Sequence, residues 1–198
     1  MTDFRKYLPL ILLALAAVLV FSMCGSYNSA VSKDENVKKA WSQVENQYQR
    51  RADLIPNLVN TVKGYANFEQ QTLQQVVQAR ASATQVKIDA NNLTPEAIQR
   101  FEQAQQGLSG ALSRLLAVTE NYPDLKANQN FIELQKALET IEDNLQNSRR
   151  YYNGCVRDLN TSCETFPSVL IANAFGFEKR DFFELDNPEE AQNVKVSF

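Results

Sequence analysis

The chain has 198 residues, a formal net charge of −3 and no histidine. That charge balance leaves no electrostatic footprint for nucleic acid, and no segment carries a basic stripe. The missing imidazole excludes a histidine-dependent nucleophile triad, a histidine general base and the Glu-x-x-His di-metal sites of helical bundles.

The first distinct element is YLPLILLALAAVLVFSMC, Tyr7 to Cys24, which has no charge. Gly25 to Tyr27 extend it to the ~20 residues that cross a bilayer. Residues 7–27 therefore read as a transmembrane helix behind a short segment, 1–6. A retained anchor is the first reading. Ser22 and Cys24 leave a weak signal-peptidase site open, and lipidation of Cys24 is a third reading, although Met23 is large for the position before a lipidated cysteine. Arg5 and Lys6 favour a cytoplasmic N-terminus with the remainder outside the membrane, whereas Lys33, Lys38 and Lys39 weaken the asymmetry.

Residues 28–176 read as four amphipathic helices, with 177–198 as an irregular, partly acidic tail. The first helix follows a heptad seam through Val37, Trp41, Val44, Tyr48, Arg51, Ile55, Leu58, Val62 and Tyr65. Its phase runs through Pro56, which predicts one helix bent there. The competing reading makes Asp53 an N-cap with Pro56 in the first turn. Gly64 ends this helix, and Asn67 with Gln70 starts a second from Phe68 to about Lys87, burying Leu73, Val76, Ala79, Ala83 and Val86. Thr94-Pro95-Glu96 starts the third, whose seam is Ile98, Phe101, Gln105, Leu108, Leu112, Leu115, Thr119 and Tyr122. Asn130 and Glu133 form a capping box for the fourth, which keeps heptad steps from Phe131 to Val169, bends at Pro167 and stops at Gly176. Four such helices with short connections imply an all-α, antiparallel four-helix bundle behind the membrane helix.

Chemistry-bearing motifs are scarce. No Gly-rich phosphate loop, Cys-x-x-Cys pair or HExxH is present. Glu133, Glu139, Glu142 and Asp143 read as solvated surface charges. The Asp181–Glu190 stretch is a poor calcium candidate, since that ion wants a tight loop of several oxygens. Cys155 and Cys163, eight apart on one helix, are separated by ~12 Å of rise, too far for a disulfide. They read as buried thiols, with a link between two chains as the alternative. No cofactor or metal site is expected, and catalysis is disfavoured.

Ordered stretches along nearly the whole chain resemble the LemA family of bacterial membrane-anchored proteins. They are Ala40-Trp41, RRADLIPNLVNTVKGYA from Arg50, TLQQVVQAR from Thr72, YPDLKANQNF from Tyr122, LQKALETIE from Leu134, FPSVLIANAFGF from Phe166 and the terminal VKVSF. Phe68 departs from the family, which often has histidine there. The resemblance implies a membrane helix followed by a four-helix bundle of bromodomain-like topology, and it implies no established activity.

Arg51 is the one charged residue in the first helix's seam. If the first and fourth helices run antiparallel, it lies level with about residue 143, which points to a buried Arg51–Glu142 ion pair fixing the register. Two other readings stand beside it: an outward-snorkelling Arg51, and a ligand-binding arginine. The first and fourth helices also exceed the middle two in length. Val37, Trp41 and Val44 would then pair with Cys155, Leu159, Phe166 and Val169 as a two-helix stalk near the membrane, offering an apolar face for self-association or for an envelope protein. Alternatively, the second-to-third connection and the tail cover that face. Phe175, Phe177, Phe182 and Phe183 fall near the bilayer, as core-covering residues or as interfacial anchors. The leading function is a single-pass, membrane-anchored scaffold or protein-interaction module of the bacterial cell envelope. A bundle sensing a small ligand in its core is the alternative, and an envelope hydrolase is a distant third.

Overall fold

The computed structural model describes residues 4–64, 69–91 and 93–183. Tyr65, Asn67, Phe68, most of the Asp181–Glu190 stretch and the VKVSF ending lie outside that range. Regular structure among the described residues is entirely helical: α1 (Phe4–Lys63), α2 (Gln70–Gln85), α3 (Pro95–Thr119), α4 (Pro123–Lys126), α5 (Gln129–Glu164) and α6 (Ser168–Phe175). The chain is thus an all-α protein with an apolar N-terminal helix and a helical bundle.

α1 runs for 60 residues with Pro9 and Pro56 inside it, so the continuous helix is observed and Asp53 starts nothing new. Proline lacks an N–H, so Pro56 deprives the Ala52 carbonyl, four residues earlier, of its donor. Ala52 is buried, where an unpaired carbonyl costs about 1–3 kcal/mol. Arg80 of α2 supplies the missing donor through Nε at 2.7 Å. A cation from the neighbouring helix therefore makes the proline tolerable at that point.

Ascending positions on α1 meet descending positions on α5. Trp41 packs against Tyr152 with ring centroids 5.7 Å apart, and Arg51 reaches Glu142. The two helices are antiparallel. α1 also packs on α2, and α2 packs along α3, with Gln105 Nε2 donating to the Ala83 carbonyl at 3.3 Å.

The caps follow local chemistry. Thr94 Oγ1 accepts from the Ala97 N–H at 3.3 Å, as its position before Pro95 predicts. α5 begins two residues earlier than Asn130 suggested, because Asn128 is the cap and accepts from the Phe131 N–H at 3.1 Å. The one-turn α4 delivers the chain to that point. At the far end α5 stops at Glu164 and does not reach Val169. The residue before a proline is biased away from helical backbone, and the break falls at Thr165–Pro167, after which α6 restarts. Gly176, at φ 73°, takes the left-handed conformation that ends α6.

The core has two parts, and Arg51 divides them. One gathers Val37, Trp41, Val44, Tyr48, Phe101, Tyr152 and Leu159. The other gathers Ile55, Leu58, Leu108, Leu112, Leu115 and Phe131. The expected bare two-helix stalk is not what forms. Ile88 and Leu93 from the α2–α3 connection and Phe183 from beyond α6 are buried against it, so the apolar faces are covered within the chain.

Residues 177–183 are held by a pair of carboxamides on α5. Asn160 exchanges two hydrogen bonds with the Arg180 backbone, both at 2.9 Å. Asn153 does the same with Phe183, at 2.9 and 2.8 Å. Seven helical residues rise ~10.5 Å, and three extended residues span ~10 Å, so the two spacings match. The segment is a strap of the bundle, and the boundary drawn at residue 176 does not separate it from the core.

Candidate functional site

The phase of α1 turns Arg51 inward, and its side chain is 0% exposed. A guanidinium brings five N–H donors. Nη1 donates to Ser109 Oγ and to Glu142 Oε1, both at 2.9 Å. Nη2 donates to Gln105 Oε1 at 2.9 Å and to the Gln105 carbonyl at 3.3 Å. Nε has no partner. The Tyr48 ring lies 4.9 Å from Arg51 Cζ, within cation–π range. Gln105 in turn reaches Ala83, so one arginine ties α1 to α2, α3 and α5.

Arg51 and Glu142 are brought together, but only one of them is buried. Glu142 remains 52% exposed. Its carboxylate keeps part of its hydration, which lowers the desolvation cost of the pair and also screens it.

Ser109 and Glu142 are also walls of an open groove of about 550 Å³ between α3 and α5. Leu112 and Leu116 line one side and Gln135 and Leu138 the other, with Glu139, Asp143 and Arg149 on the rim. α3 and α5 face each other across this groove without the close backbone packing that joins α1 to α5 and α2 to α3. Arg149 is anchored beside the groove. Its Nε donates to the Tyr48 hydroxyl at 3.0 Å, Nη2 points at the same oxygen, and its guanidinium lies 5.0 Å from the Phe183 ring centre. Such an arrangement can hold a partner by mixed apolar and polar contact. Arg51 itself offers it little, because all four Nη hydrogens are already engaged.

The stalk residues do not share one surface. Val37, Trp41, Val44 and Leu159 are buried, with Trp41 edge-on to Phe101 at 5.4 Å and tilted over Phe183 at 6.2 Å. Phe166, by contrast, is 81% exposed in the α5–α6 break. The phenylalanines expected near the bilayer divide as well: Phe183 is core, Phe177 is half-buried, and Phe175 and Phe182 are exposed. Cys155 and Cys163 are free and half-buried, and Cys24 is free and exposed. Burial pushes the Cys163 thiol above its ordinary pKa, and burial likewise raises Tyr152.

Gln105 and Ser109 are partners that the sequence reading did not assign to Arg51. A glutamine inside an otherwise apolar seam was the available signal, with Ser109 one turn further on. Asn153 and Asn160 gave no comparable signal.

The Arg51 network, both groove walls and the strap all lie within residues 40–198, the stretch matched by the model of the LemA family. The chain belongs to the LemA family. Protein LemA of Metamycoplasma hominis is 23% identical over 155 residues, covering 78% of this chain and 67% of that protein. Two magnetosome MamQ proteins of Paramagnetospirillum magneticum are each 22% identical over 196 residues, covering 88% of this chain and 71% of theirs. A MamQ protein of Magnetospirillum gryphiswaldense is 23% identical over 176 residues, covering 79% of this chain and 64% of that protein. Ahead of the LemA-family match, α1 is long and apolar enough to cross a membrane.

Proposed function

We propose that this LemA-family chain is a single-pass membrane protein of the bacterial cell envelope, with its bundle outside, acting as a scaffold or protein-interaction module rather than a catalyst. The observation that carries this reading is the α3–α5 groove, an open, mixed-polarity furrow on a bundle that one uninterrupted helix joins to the apolar segment. Its partner is a protein segment, since the furrow is open along its length and Arg51 has no Nη hydrogen to spare for an anion. Arg5 and Lys6 support the cytoplasmic N-terminus.

The second reading is a small-ligand site. It is favoured by the groove volume of about 550 Å³, which falls among ordinary ligand pockets. Photocrosslinking residues placed at Gln106, Ser113 and Gln135 and, as a control, at exposed Gln43 separate the two in intact cells. The scaffold reading expects the same protein adduct at the three groove positions and not at Gln43. Loss of that distinction sinks it, and a small molecule retained by the purified protein in its place supports the ligand site.

A further inference from the structure

α6 and the residue ahead of it leave large apolar side chains exposed at the lower end of the bundle. Phe166 is 81% exposed, and Leu170 and Phe175 are 59% exposed each. Leu170 faces away from the buried Ile171 and Ala172, whereas Phe175, ~140° round the helix from Leu170, is on their side and turned towards α1. Residues 165–177, TFPSVLIANAFGF, contain no charge. Large apolar side chains left exposed around one short helix mark a contact, and the position of α6 says with what.

The uncharged stretch of α1 begins at Tyr7, and ~20 residues of helix cross the hydrocarbon layer. A crossing that starts there ends near Ser26, and the uncharged stretch continues to Ser32. Pro167 and Ser168, where α6 begins, line a groove with Ser22, Ser26, Ser29 and Lys33 of α1. At its other end Phe175 packs on Tyr27 with ring centroids 4.8 Å apart, and Phe177 packs there at 6.0 Å. Both ends of α6 thus meet the same stretch of α1. The serines recur every three or four residues and share one face of α1, whereas Tyr27 lies ~100° round from Ser26. α6 crosses α1 instead of running along it. Ser22 lies ~7 Å below Tyr27 along the axis, the depth at which in-plane amphipathic helices bury their apolar sides. Lys33 lies at the upper end of the groove, and two charge pairs flank it. Glu164 accepts from Lys179 at 2.6 Å, which raises the lysine's pKa, and Arg180 lies 3.5 Å from Asp34.

We propose that α6 is a second membrane contact, lying in the plane of the bilayer surface where α1 emerges, with Phe166, Leu170 and Phe175 in the boundary between headgroups and acyl chains. The occupant is lipid, because Phe175 packs on Tyr27 at the level where the bilayer-spanning part of α1 ends, and Phe166 and Leu170 are exposed on the same short element. This inference rests on the membrane reading of α1 and is independent of any protein partner. It makes the bundle's attachment two-pointed, so that the bundle cannot swivel about α1.

The test uses the full chain reconstituted in phosphatidylcholine/phosphatidylglycerol vesicles with brominated acyl chains, which quench nearby indoles. Tryptophan is introduced singly as Phe166→Trp, Leu170→Trp and Phe175→Trp, with Leu12→Trp inside the span and Tyr151→Trp on the bundle as references. The native Trp41 is the only tryptophan and is buried ~21 Å above Tyr27, which makes it an unquenched background. The expected result is about a twofold loss of the added emission at all three α6 positions, as for an indole at the acyl boundary, and none at Tyr151→Trp. Quenching at Leu12→Trp without quenching at α6 overturns the proposal and leaves the anchor standing. Absence of quenching at Leu12→Trp as well removes both. Shielding of the α6 tryptophans from bromolipid and from aqueous iodide alike assigns the face to a second copy and likewise overturns it.

Discussion

Arg51 is a charge placed where two hydrophobic clusters meet, and its surroundings decide how much each partner matters. Glu142 is half exposed, so its attraction is screened, and solvent in the open groove can take its place. Glu142→Ala is expected to cost only about 1 kcal/mol. Gln105 is buried, and Gln105→Leu removes its side-chain Oε1 from Arg51 while keeping the backbone carbonyl. Leaving that buried charged donor unpaired is expected to cost roughly 2–3 kcal/mol. Arg51→Ala removes the whole hub, strands Gln105 and leaves a cavity, for roughly 3–4 kcal/mol. Denaturant unfolding in detergent checks the order. A Glu142→Ala loss equal to that of Arg51→Ala would show that the carboxylate, and not the glutamine, balances the buried charge. The charge and its level on α5 were legible in the sequence because a heptad seam and a helix rise are arithmetic. The serine was not, because a short polar residue off the seam leaves no periodic mark, and Gln105, though in the seam, carried nothing that named Arg51 as its partner.

Among the elements, α1 and α2 are coupled by the repair at Pro56. Since Arg80 donates to the carbonyl that the proline left open, Arg80→Ala is expected to destabilise the native chain by about 1–2 kcal/mol. It should cost little in a Pro56→Ala background, where the backbone supplies its own donor. A double-mutant cycle measures this coupling, and equal losses in both backgrounds would refute it. The continuity of α1 and the Thr94 cap could be read from phase and from a strong local motif. The ends of α5 could not. Asn130 and Glu133 made a plausible start, but α4 delivered the chain to Asn128, and Pro167 broke the helix where a bend was expected. The strap was unreadable for a different reason. Its buried hold on α5 is largely side chains of α5 bonded to strap backbone groups, Asn153, Asn160 and Tyr152 among them, which any strap sequence would satisfy. Phe183 and the exposed Lys179–Glu164 pair are the sequence-specific exceptions.

At the scale of the whole molecule, the strap closes the end of the core that the α2–α3 connection leaves open, with Phe183 as its stopper. Releasing it should uncover Trp41 without unfolding the far cluster around Leu108 and Phe131. The double variant Asn153→Ala, Asn160→Ala is expected to shift Trp41 emission to the red and to hasten tryptic cleavage after Lys179 and Arg180 by about tenfold, a change of roughly 1.4 kcal/mol in local opening. Unchanged cleavage would mean that Phe183 and the remaining Lys179–Glu164, Arg180–Asp34 and Tyr152–Asp181 contacts keep the strap in place. The uninterrupted course of α1 has a mechanical consequence. A shaft with no joint between the lipid and the bundle passes on torque as well as position: turning its lower end at Tyr7 by one residue's worth, ~100°, turns the groove equally, ~66 Å higher at the level of Arg51. Whatever docks in that groove would therefore read the azimuth of the lipid-embedded end, as a compass card follows its spindle.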